Sequence, residues 1–136
     1  MRLDHLTVRT DDLEATKAFF TDVLGLTVGE RPGFKFPGYW LYGNGKAIVH
    51  LLVASPERNY VPGEARVDLQ GGTGAVDHVA FRGDDYDALI ERLNGRKLDF
   101  TARAQAGTGT RQVFVAGPHG LVVEIDFPPV RAGHGG

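Results

Sequence analysis

Twelve residues near the start of the chain return later in the same register. DHLTVRTDDLEA, from Asp4 to Ala15, lies over DHVAFRGDDYDA, from Asp77 to Ala88, with His5 over His78 and Arg9 over Arg82 at a constant offset of 73. Asp-His, Arg, Asp-Asp and Ala recur at matching places, and the apolar positions between them match in kind. A chain written twice is expected to fold as two similar halves. Each copy reads as a short strand containing a His, followed by a helix. The first helix has Asp11 as its expected N-cap and Glu14 three residues on, with Leu13, Phe20 and Leu24 on one face and Gly25 as the stop. The second repeats this with Asp84 and Asp87, apolar Tyr86, Leu89, Ile90 and Leu93, and Gly95 as the stop.

Three strand-like runs follow each helix. They are Leu26–Arg31, Gly38–Tyr42 and Lys46–Val53 in the first half, and Leu98–Arg103, Thr110–Ala116 and Leu121–Phe127 in the second. Gly117-Pro118-His119-Gly120 suits a type I turn, which leaves His119 exposed. The predicted architecture is α+β: two βαβββ modules related by a pseudo-twofold, spanning 1–54 and 76–128 within one domain. A polar, Gly- and Pro-containing connection at 55–75 joins them, and 129–136 reads as a frayed tail, so His134 is set aside.

Composition narrows the class further. The 136 residues carry 15 Lys+Arg against 17 Asp+Glu, a net charge of −2, which argues against a nucleic-acid partner held by a basic surface. There are no cysteines, so disulfides, thiolate metal sites, iron–sulfur clusters and a Cys nucleophile are excluded. No apolar run approaches the roughly 20 residues of a membrane span, and MRLDHLTVRT does not read as a leader. A cytoplasmic protein with no membrane or nucleic-acid partner is the expectation.

The repeat also gathers chemistry. Side chains two apart on a strand share a face, so His5 is expected to point with Leu3, Thr7 and Arg9, and His78 with Ala80 and Arg82. The last strand of each half adds His50, in AIVHLL, and Glu124, in LVVEID, at an offset of 74, one beyond that of the repeat. Three histidines and a glutamate thus fall on symmetry-related, mid-strand, half-buried positions. Burying such groups unpaired is costly, and a divalent cation removes the cost. Imidazole with carboxylate suits Zn, Ni, Fe, Co or Mn. Taken singly, a strand His beside an Asp reads as a hydrogen-bonded structural residue; the paired placement is what favours a metal held by His5, His50, His78 and Glu124. Arg9 and Arg82 either clamp a substrate carboxylate or phosphate or pair with Asp11 and Asp84. Phe36, Tyr39 and Trp40 either line an apolar pocket over the metal or belong to the core.

Two βαβββ modules with candidate ligands on the first and last strand of each resemble the vicinal oxygen chelate superfamily. That group includes glyoxalase I, extradiol dioxygenases, methylmalonyl-CoA epimerase, and fosfomycin and bleomycin resistance proteins. The resemblance runs from Leu3 to Phe127. The closing QVFVAGPHGLVVE is similar to the superfamily's Asp-Pro-x-Gly-x-x-x-Glu ending, with Gly117 in place of its Asp, and RPGFKFPGYWLYG looks like a glyoxalase-like subgroup. The resemblance implies a divalent metal on His5, His50, His78 and Glu124, with Glu124 and His50 as the catalytic pair. It also implies a small-molecule substrate with vicinal oxygens and a homodimer, in which ligands come from one chain or from two. Glyoxalase I has a Glu at the position of His50, and its glutathione-contacting Asn falls at Ala54. The acid/base Tyr of the dioxygenases falls at Phe114, which joins Arg9, Arg82, Phe36 and Trp40 as candidate substrate contacts. The implied activity is that of a metal-dependent lyase or isomerase of glyoxalase type. The alternatives are an Fe(II) extradiol-type dioxygenase and a drug-binding resistance protein.

Overall fold

A computed structural model describes residues 2–53 and 72–131. The chain divides into two compact units, Met1–Gln70 and Gly71–Gly136. Most of the predicted 55–75 connection, and the tail from 132 on with His134, lie outside the described residues.

The first unit runs β1 (Leu6–Thr10), α1 (Leu13–Ala18) with a π-helical turn at Phe19–Val23, β2 (Thr27–Gly29), β3 (Gly38–Gly43) and β4 (Lys46–Val53). The second runs β5 (Val79–Arg82), α2 (Tyr86–Gly95), β6 (Phe100–Ala104), β7 (Arg111–Ala116) and β8 (Val122–Phe127). Each unit forms one four-stranded sheet, with orders β1-β4-β3-β2 and β5-β8-β7-β6. In each, the first strand pairs in parallel with the last, which only a crossover through the helix allows, and the other pairs are antiparallel hairpin neighbours. This is the predicted βαβββ pattern, twice.

The cores repeat as the sequence does. Phe20, Leu41 and Val49 are fully buried in the first unit, and Leu93, Val115 and Val123 occupy the corresponding places in the second. One core position differs in chemistry. Thr10 is buried and its hydroxyl bonds that of Thr16 at 2.7 Å. At the matching place Gly83 leaves room for an aromatic ring, since a Cβ there would lie 2.5 Å from Phe127.

Several local expectations are corrected. The N-caps are Asp12 and Asp85, which accept from the backbone N–H of Ala15 and Ala88, not Asp11 and Asp84. With two aspartates in a row, the second is the one in reach of an amide three residues on. Gly25 does end the first helix with φ +78, but the second runs through Gly95 and its left-handed residue is Lys97, φ +55. The second strand of each unit is displaced or shorter than expected. At 117–120 His119 has φ +55, which a type I turn does not permit, and its side chain is half-buried. His5 and His78 each stand one residue before their strands, not within them. Among the described residues no helix is long and apolar enough to cross a membrane.

Candidate functional site

The strand registers carry the predicted residues. In the first unit Thr7 and Trp40 flank His50 across the central strand β4. In the second, Ala80 and Phe114 flank Glu124 across β8 in the same way. His50 and Glu124 are therefore structural equivalents, and the one-residue drift from 73 to 74 is already present at Trp40 and Phe114.

The structure joins the four proposed ligands in two pairs, one per unit. In the first, the His5 and His50 rings stack with centroids 3.8 Å apart and planes at 17°, and Trp40 stacks on the other face of His50 at 4.0 Å and 8°. His5 Nδ1 is held by the Asp4 carboxylate at 2.7 Å, and Lys46 Nζ lies 3.3 Å from its other oxygen. The hydrogen bond with His5, then the Lys46 ammonium, hold Asp4 below the usual carboxylate range. Partial burial, and then the nearby charge of His5, push His50 below the ordinary imidazole value. His50 is thus tuned to be neutral, which is the form that binds a metal.

In the second unit His78 Nδ1 is held by Asp77 at 2.8 Å, and its Nε2 faces Glu124 Oε1 at 3.4 Å. The Asp77 bond, with a further contribution from the Glu124 charge, raises His78 above the ordinary value. The Glu124 side chain is only 9% exposed. Burial, then hydrogen bonding to Asp126 two residues on, raise its pKa. Asp126 Oδ1 is itself buried with no hydrogen-bond partner. Beside this pair, Phe114 meets His78 edge to face at 6.0 Å, and Arg103 lies over Phe114 while bonding Gln112 Oε1 at 3.0 Å.

These features fit a divalent ion on the chemistry of the donors. Both Asp-His pairs fix Nδ1 on a carboxylate and leave Nε2 as the ligating atom, the outer-sphere arrangement typical of metal-bound histidine. The His78–Glu124 separation exceeds the about 2.7–2.9 Å of a charge-assisted hydrogen bond and suits two donors sharing one ion. The His5–His50 stack suits it less directly. An imidazole lone pair lies in the ring plane, so parallel rings do not aim at one point, and one ring must turn to share an ion. Among the described residues no group of three or more His, Asp or Glu side chains is gathered to hold one ion.

The first unit also holds a cavity of about 490 Å³, lined by His5, Arg9, Arg31, Phe34, Trp40 and His50 among others. Phe36 and Arg9 also line it. Tyr39 does not: its hydroxyl bonds the Glu14 carboxylate, and Lys17 sits 4.8 Å from its ring. It lies on the opposite strand face from Trp40, as strand alternation requires. Arg82 is exposed at the end of β5. Sequence reading missed Arg31, Phe34, Arg103, Gln112 and Asp126. Strand period alone would have found Asp126, which shares a face with Glu124, and Gln112 and Arg103 follow from it across the register. Arg31 and Phe34 lie on the loop before β3, where no period operates.

The chain belongs to the Glyoxalase/Bleomycin resistance protein/Dioxygenase superfamily, whose pattern matches residues 2–125. It is 27% identical over 126 residues to Glyoxylase I 4 of Arabidopsis thaliana, covering 90% of this chain and 68% of that protein. It is 30% identical over 130 residues to lactoylglutathione lyase of Salmonella typhimurium, covering 92% and 91%. Among solved structures it resembles the fosfomycin resistance protein FosX of Listeria monocytogenes, with a TM-score of 0.68 at 16% identity over 96% of this chain and 95% of that one. This last likeness concerns the fold.

Proposed function

We propose that the chain is a divalent-metal-dependent enzyme of glyoxalase type, a lyase or isomerase acting on a small hydroxycarbonyl with vicinal oxygens. Its ligand set is His5 and His50 from one unit with His78 and Glu124 from the other, within one chain or across a homodimer. The observation that carries this reading is the duplicated Asp-anchored histidine, each with Nε2 left to ligate, accompanied in one unit by a buried carboxylate facing that nitrogen. Resemblance to proteins named glyoxylase I and lactoylglutathione lyase supports the reaction class.

A bound Zn, Ni, Fe, Co or Mn supplies Lewis acidity toward the substrate's oxygens. The protein's own residues supply the rest. Asp4 and Asp77 orient the two histidines and fix their tautomers. Glu124 is the proton carrier, a carboxylate placed to take a proton from carbon beside a carbonyl and return it to the neighbouring atom. His50, kept neutral, stays available as a ligand. A cytoplasmic location accompanies this reading.

The test is metal analysis of protein purified without an affinity tag, followed by proton-exchange NMR on small hydroxycarbonyls in deuterated water. Bound ion with solvent-derived deuterium in the substrate is the expected result. Protein that takes up none of the five metals overturns the reading.

A further inference from the structure

The cavity of the first unit has a composition that metal binding does not account for. Among the described residues no Asp or Glu lines it, whereas Arg9, Arg31, His5 and His50 do. Arg31 lies beside the Phe34 and Phe36 rings, which stack on each other with centroids 5.0 Å apart; its guanidinium is 5.0 Å from each centroid and donates one N–H to the Phe36 carbonyl at 2.9 Å. Among the described residues no carboxylate forms an ion pair with it, and its remaining N–H groups keep their capacity to donate. Gly38 is what admits it so close to the sheet, because a Cβ there would lie 2.8 Å from a guanidinium nitrogen. Opposite, Phe34 approaches Trp40 at 6.4 Å, so flat rings bound the space beside the cation. A half-buried guanidinium whose ion-pair partner is not among the described residues offers its free N–H groups to an anion brought by a ligand.

We propose that this cavity receives a flat, apolar carboxylate, an aryl carboxylic acid, whose carboxylate meets Arg31 and whose ring lies against Trp40 and Phe34. The volume of about 490 Å³ is in the range of small-ligand sites and exceeds the need of a bare inorganic anion. The guanidinium fork takes a planar carboxylate through two parallel bonds, and the ring faces favour a planar body over a branched one. The inference deepens the reading above by naming the substrate class, and rests on it only in calling this ligand a substrate.

The experiment uses full-length protein treated with EDTA, so that no ion can hold the carboxylate. Benzoate, benzamide and acetate are titrated by calorimetry, and Trp40, the chain's single tryptophan, reports the same binding by fluorescence. Benzoate is expected to bind saturably, with benzamide and acetate each weaker by about tenfold or more. Arg31→Gln is expected to weaken benzoate by a similar factor, while Lys17→Gln, in helix α1 beside Tyr39, leaves it unchanged. Equal binding of benzoate and benzamide, or no saturable binding of benzoate, overturns the proposal; these arms need only the unaltered chain, should Arg31→Gln fail to fold. Benzoate binding by a protein that takes up no metal supports this proposal while ending the metal reading.

Discussion

The two units are copies of one plan that differ most tellingly at the centre of their last strands. His50 and Glu124 occupy the same place on equivalent central strands, between Thr7 and Trp40 in one unit and between Ala80 and Phe114 in the other. The first unit places an imidazole there and covers it with aromatic rings beside an arginine-lined cavity. The second places a carboxylate there, buries it, and sets Asp126 next to it. A duplicated scaffold thus carries a stacked imidazole in one copy and a buried carboxylate at the equivalent place in the other. The parts kept alike are the Asp-His pairs and the cross-strand neighbours of the central residue.

The sharpest way to break this comparison is to remove each central residue in turn. Glu124→Gln keeps the shape and abolishes the base, and is expected to lower turnover about 10²–10⁴-fold. His50→Gln is expected to cost less, because a neutral ligand accepts no proton in the reaction. Equal losses measured by steady-state kinetics would erase the distinction between the units.

The shared core is tested next. Phe20 and Leu93 hold matching, fully buried positions. Phe20→Ala is expected to cost about 3–5 kcal/mol and Leu93→Ala about 2–5 kcal/mol in urea unfolding. A loss below 1 kcal/mol at either would mean that the cores are not equivalent.

The repeat made most of this fold legible. An offset of 73 placed both strand–helix starts, and the ligand-competent residues of β4 and β8 could be matched without any structure. What the sequence could not convey came from short-range choice and from loops. Adjacent aspartates concealed which one caps, because either side chain satisfies the pattern and backbone geometry alone decides. Alternation along β3 does place Tyr39 and Trp40 on opposite faces, a step the grouping of all three aromatics overlooked. The stack of His5 on His50 depends on side-chain rotation, and Arg31 on a loop that Gly38 lets approach, so neither leaves a periodic trace.

The outer carboxylates sharpen the comparison further. Asp77→Asn and Asp4→Asn are each expected to weaken metal affinity about 10–100-fold, as read by competition with a chelating dye. Asp4 also faces Lys46, so its loss leaves a lysine beside His5 and is expected to be the larger of the two.

Protonation separates the units in opposite directions in metal-free protein. His50 lies below the ordinary 6.5 in the fold, so the folded state binds fewer protons than the unfolded chain. Its contribution is present above pH 6.5 and is lost as pH falls through the lowered value. His78 lies above 6.5, so its contribution is present below that pH and is lost as pH rises through the raised value. Ring-proton NMR should show the two midpoints on opposite sides of 6.5. Both on one side would contradict the assigned environments.

The most direct measurement is the affinity of one divalent ion, Ni or Zn, for the unaltered chain and for His5→Ala and His78→Ala. One ion per chain, weakened by about tenfold or more by either substitution, is the result expected if both units contribute ligands to the same ion. An ion whose binding is indifferent to His78, or to His5, would contradict that account, and so would the absence of binding.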